Sequence, residues 1–352
     1  MAELTSQDLR ASVAAGQLTE AQAASILALA QTRAGYRSAM SNEDEPFELF
    51  RGFAEIFVTV GLSILFFAAF GLIGLAGGGA VALIIVPLTV VLAEYFTRRR
   101  RMVLPSMFLT TALAVAIAWA ASDATDPISL ISNRSGVLLA LGLTVAGLFL
   151  WFLRYRVPFT MFLIGLCGFL AIVDPRSVFA VMMPGSQGLR SAMDLTQADS
   201  AGLAMLIFGL LALAGGIWFD MRDPHRLGRQ SASGFWLHVL AAPALVNTVA
   251  VTFFNMGPGS GYGLLTLTLL VAAVLALVID RRSFLTAGLG YMVFLLIYVF
   301  ADDQKPLSWL VTLLVLGAGL TALGAGWTAL RGRLMRMLPD FPGKTRLPPY
   351  TE

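Results

Sequence analysis

The chain has 352 residues, of which 57% are hydrophobic and 13% charged, with a net charge of +3 and a mean hydropathy of +0.79. That apolar content exceeds what a soluble domain needs for its core, and it predicts an all-α polytopic membrane helix bundle. One cysteine, Cys167, excludes an internal disulfide framework and a thiolate-rich metal site, and two histidines, His225 and His238, argue against a multi-histidine metal or haem centre.

Residues 1–40 are mildly polar and lack the apolar run of a cleavable signal, so the first span is expected to serve as its own insertion signal. Two helix starts are legible: Thr5 with Asp8, an acidic variant of the capping box, and Thr19 with Gln22, a regular one. Gly16 and Gly35 stand where C-caps belong. Leu9, Val13, Leu18, Ile26, Leu27 and Leu29 would form the seam of a small cytoplasmic helical hairpin, either docked on the bundle or free to bind a partner. The run from Leu9 to Ala23, followed by Ile26 and Leu27, resembles a family of uncharacterised bacterial multi-pass inner-membrane proteins that begin with such a helical domain. The resemblance implies a bacterial inner-membrane location and brings no biochemical role.

Residues 41–51 form an acidic hinge and an aromatic-rich approach to the interface. Ten apolar windows follow, near 52–75, 78–96, 102–121, 135–153, 157–173, 201–219, 235–254, 263–279, 283–300 and 308–330. Each is long enough, or nearly so, for a hydrocarbon layer of ~30 Å. None shows the alternation of a barrel strand, so ten transmembrane helices are expected across 52–330. With the N-terminus inside, twenty of the 24 basic residues fall on the inner side, including Arg98 to Arg101, Arg154 with Arg156, and Arg281 with Arg282. Both termini are thus predicted to be cytoplasmic, with residues 331–352 a basic, Pro-rich and extended tail. The inner charges are spread over separate turns, which favours anionic lipid headgroups over nucleic acid as the partner. The longest outer loop, residues 174–200, is the place for any specific contact on that side.

Four spans end in an aromatic or aliphatic cluster followed by a short basic turn: Tyr95-Phe96, Trp151-Phe152, Trp218-Phe219 and Val278-Ile279. The hairpins would share one orientation, as parallel repeats do. Gly74 with Gly78, Gly142 with Ala146, and the group Gly317, Gly319, Gly324 and Gly326 offer small-residue faces for close helix contact.

Intramembrane polar groups are the usual functional pointers. The seventh window combines His238, Pro243 and Asn247, and the ninth carries Tyr291 and Tyr298 on one face; these four side chains, His238, Asn247, Tyr291 and Tyr298, form the candidate intramembrane polar site. In a straight helix His238 and Asn247 point in opposite directions, so a kink at Pro243 is needed for both to face one ligand. The plainer reading seats His238 among headgroups and makes Asn247 and the tyrosines packing contacts. Arg51 with Glu55, and Glu94 with Arg98, are spaced as interfacial ion pairs at i, i+4. No catalytic, cofactor-binding or metal-binding motif is present. The expected role is therefore that of a scaffold or accessory subunit of another membrane system, with a membrane-protein partner. The alternatives are a permease for an apolar or lipid-like solute and, behind it, a lipid-modifying enzyme using His238 as base, which lacks an orienting carboxylate in its own span.

Overall fold

The computed structural model describes residues 6–19, 22–23, 26, 52–76, 81–121, 134–172, 194–197, 201–223, 229–257, 260–282, 314, 317–319, 321–322 and 324–348. Among them the regular structure is helical: α1 Ser6–Ala14, α2 Phe53–Leu75, α3 Val81–Ala93, α4 Val103–Ala121, α5 Arg134–Tyr155, α6 Phe159–Ile172, α7 Gly202–Asp220, α8 Arg229–Asn255, α9 Ser260–Ile279 and α10 Trp327–Met337. α3 runs on as a π turn, Glu94–Arg99, and a 3-10 turn, Lys344–Arg346, follows α10.

Among the described residues seven helices are long and apolar enough to cross a membrane: α2, α3 with its π turn, α4, α5, α7, α8 and α9. The window at 157–173 yields a shorter helix, α6, of 14 residues, or about 21 Å at ~1.5 Å per residue. The window 283–300 and ten of the 23 residues of 308–330 lie outside the described residues, so seven of the ten expected spans are seen among the described residues. Of the N-terminal hairpin, α1 is present, and Gly16 at φ 72° receives the chain as its cap. Thr19 and Gln22 form the capping box, with Gln22 N–H donating to Thr19 Oγ1 at 3.3 Å and Thr19 N–H to Gln22 Oε1 at 3.0 Å. Thr5, Gly35 and most of the second helix lie outside the described residues.

The core is in two halves joined by α6. In the first, Phe66, Ile85, Leu109, Trp151 and Tyr155 close the space between α2, α3, α4 and α5. In the second, Ala212, Ala241, Ala242, Val246, Ala276 and Trp327 bring together α7, α8, α9 and α10. Between them Phe159 and Phe162 of α6 meet the Trp236 ring of α8 edge-on, with centroids 4.9 and 5.4 Å away. Buried Thr89 and Thr110 bond back to the preceding turn, at Ile85 O and Ser106 O, so these two hydroxyls enter the apolar core satisfied.

α7 and α8 form the most extensive helix pair. Gly209, Ala212 and Gly216 line one face of α7, and a Cβ on Gly209 would lie 2.7 Å from Leu245 Cγ of α8. This face, not those anticipated, carries the close approach: positions 142, 317, 319 and 324 have nothing within 4 Å of an added Cβ, while Gly74 meets only Trp119, at 3.5 Å. α8 also begins six residues before its apolar window, because the polar segment Arg229 to Gly234 is sheltered by α7 with Ser231, Ser233 and Gly234 buried.

Among the described residues three non-glycine positions adopt left-handed backbone: Arg101 (φ 54°), Arg156 (φ 51°) and Asp280 (φ 60°). Each sits in a basic turn after a span, giving three of the four similar hairpins a shared conformational device. Of the described residues after α10, Leu347 and Pro348 are buried, and Arg331 Nη2 donates to Pro348 O at 2.6 Å.

Candidate functional site

The second half of the bundle closes around a sealed ionic cluster. Asp220 is the last residue of α7, His238 lies in the third turn of α8, and Arg281 follows α9. His238 Nε2–H donates to Asp220 Oδ2 at 2.9 Å, Arg281 Nε donates to the same oxygen at 3.1 Å, and Arg281 Nη2 donates to Oδ1. The same Nη2 reaches Ser231 O at 2.8 Å. The planar guanidinium thus grips the carboxylate with two parallel bonds, the geometry that makes arginine the strongest partner for a buried acid. Relative exposures of 1% for Asp220, 0% for His238 and 2% for Arg281 shut the cluster off from solvent and lipid.

Two glycines make this possible. A Cβ on Gly216 would lie 2.7 Å from His238 Cε1, and one on Gly234 would lie 2.5 Å from Asp220 Oδ1 and 2.9 Å from Gly216 O. The ring of His238 therefore rests against bare α7 backbone, in protein and not among headgroups.

A second clasp adjoins the first. Left-handed backbone at Asp280 turns neighbouring side chains to different partners, Arg281 to α7 and α8, and Asp280 to α10. Asp280 Oδ1 accepts from Trp327 Nε1 at 2.8 Å and lies 3.6 Å from Arg331 Nε, which itself donates to Leu277 O at 3.1 Å.

No protein-family model, curated protein or solved structure matches this chain. Function has to be read from its own geometry.

Of the anticipated polar site, His238 and Asn247 are among the described residues. Asn247 is half-buried, further along α8, while His238 is committed to Asp220; Tyr291 and Tyr298 lie outside the described residues. The carboxylate that orients His238 comes from the neighbouring span. Asp220 and Arg281 read as turn residues in sequence, and the usable signal was the small-residue spacing of Gly209, Ala212 and Gly216 leading to a terminal acid.

Glu55 is buried, and its Oε2 accepts from the backbone N–H groups of Val103 and Leu104, each at 3.1 Å. It thus serves the amino end of α4, where free amides and the helix dipole favour an anion; Arg51 lies outside the described residues. Glu94 does pair with Arg98, and Arg154 joins from α5 at 3.3 Å. At the other end of α8, Asp194 takes Asn255 Nδ2 at 2.6 Å and the Thr196 hydroxyl at 2.7 Å, and Leu195 N–H donates to Thr252 Oγ1 at 3.0 Å. Burial pushes the Asp194 carboxyl up, but the Thr196 and Asn255 hydrogen bonds outweigh that and hold it below the usual carboxylate range.

Chemically, Asp220 with His238 has the bond pattern of an acid–base pair. A ring with 0% exposure, pressed on the α7 backbone, offers no approach for a substrate, so the arrangement holds helices together.

Proposed function

We propose that this chain is a multi-pass protein of a bacterial inner membrane, with cytoplasmic termini, that acts as a scaffold or accessory subunit of another membrane system. The observation that supports it is the use made of Asp220. Both oxygens of this acid are taken by His238 and Arg281, so the best-placed ionisable group of the bundle fastens α7, α8 and the end of α9. Outside that frame the helices present apolar surface to lipid or to a partner, as Phe57 at 75% and Phe67 at 84% exposure do on α2.

The test is gentle solubilisation from native membranes, followed by sizing and mass spectrometry of whatever co-migrates at stoichiometric level. A membrane-protein partner is expected in the same peak. Migration as a lone monomer or homodimer would overturn the proposal.

A further inference from the structure

Left-handed backbone is natural to glycine and strained for other residues, so an arginine there calls for a reason. Of the three such positions, Asp280 has one inside the chain, in its bond to Trp327. Arg101 and Arg156 are exposed, and among the described residues neither guanidinium has a partner.

Their turns are neighbours. Glu94 binds Arg98 of the first turn and Arg154 of the second, and Tyr155 O–H reaches Val90 O at 3.4 Å between the same two spans. Arg229 Nη1 comes to Tyr155 O at 3.4 Å, adding a third cation beside the second turn. The first turn is also wound as a π helix, whose wider register lets Arg100 Nε donate to Tyr95 O–H at 3.1 Å and leaves Arg99 exposed. The carboxylates described beside these turns are engaged, Asp223 with the Ser231 N–H at 3.3 Å. Glu94 is held between Arg98 and Arg154, and Glu55 faces inward to the α4 amides. The result is a concentration of uncompensated positive charge at the end of two adjoining hairpins, in a chain whose flanking helices are of membrane length.

We propose that Arg101 and Arg156, assisted by Arg99, bind the phosphodiester headgroup of an anionic phospholipid. Guanidinium groups match phosphate oxygens in charge and bond direction, and the adjoining apolar spans accommodate the acyl chains. The inference stands apart from the scaffold reading: it needs the chain to lie in a bilayer and no protein partner.

Glycine supplies the test, because Arg101→Gly with Arg156→Gly keeps the backbone conformation and removes the charge. The full-length protein, delipidated in mild detergent, is offered an equal mixture of phosphatidylglycerol and phosphatidylcholine, and retained lipid is read by native mass spectrometry. The unmodified chain is expected to prefer phosphatidylglycerol. The double variant should lose that preference by roughly thirtyfold at low salt, while its melting temperature in detergent stays level or rises. Arg222→Ala removes a charge that is stacked on Trp218, with the guanidinium carbon 3.6 Å from the ring centroid, and should keep the preference. Equal retention by the double glycine variant, or an equal loss in Arg222→Ala, would overturn the proposal. Arg101→Asn with Arg156→Asn repeats the measurement with a residue that also tolerates left-handed backbone, should glycine loosen the turns.

Discussion

Asp220 occupies a position where an isolated carboxylate would cost several kcal/mol to bury, and its three hydrogen bonds offset that cost. Removing one partner is therefore worse than removing both. Asp220→Asn leaves the Arg281 guanidinium buried without its counter-charge, and a loss of about 3–5 kcal/mol is expected from thermal or denaturant unfolding in detergent. Arg281→Met should cost a similar amount, and the two together less than the sum of the singles. Additive losses would show that the two groups do not act as a pair. His238 stood out in the sequence as the one imidazole inside an apolar window, whereas its acid did not. The bonded residues are 18 and 61 positions from Asp220, and no local pattern specifies such a meeting.

At the scale of the element, the close pairing of α7 with α8 depends on absent side chains. A Cβ on Gly234 meets Asp220 Oδ1 at 2.5 Å and the Gly216 carbonyl at 2.9 Å, and backbone cannot yield as a flexible side chain can. Gly234→Ala is expected to destabilise the protein by about 1–3 kcal/mol. Gly142→Ala, with nothing within 4 Å, should gain up to ~1 kcal/mol from helix propensity, and melting temperatures in one detergent compare them. The apolar windows anticipated α2 to α5 and α7 to α9 to within a few residues, because length and hydropathy specify a membrane helix. They could not say which small-residue face would be covered: Gly142 and Gly209 look alike in sequence, and only the second has Leu245 against it. Nor could hydropathy show that Arg229 to Gly234 belongs to α8, since its polar residues are tolerated under the cover of α7.

For the whole molecule, the contacts bring the basic turns to one end of the bundle. Glu94 links the turns after α3 and α5, Arg229 reaches Tyr155, Asp220 links α7 to Arg281, and Asp280 links α9 to Arg331. Asp194 and Asn255 mark the opposite end, where α8 finishes. That separation is what the distribution of arginine implied, and it was legible because the charge rule acts on every turn independently of packing. Both the clasp at Asp220 and the headgroup site at Arg101 and Arg156 rely on it. Cys167 is the single cysteine and is buried, so Cys167→Ala supplies a clean background for labelling. Arg99→Cys and Met337→Cys report one end, and Leu195→Cys and Met256→Cys the other, each at an exposed position. With a membrane-impermeant maleimide applied to right-side-out and inverted vesicles, the first pair should label only from the cytoplasmic face and the second only from the opposite face. Labelling of both pairs from the same face would contradict the account of a bundle that spans the membrane with its basic turns on one side.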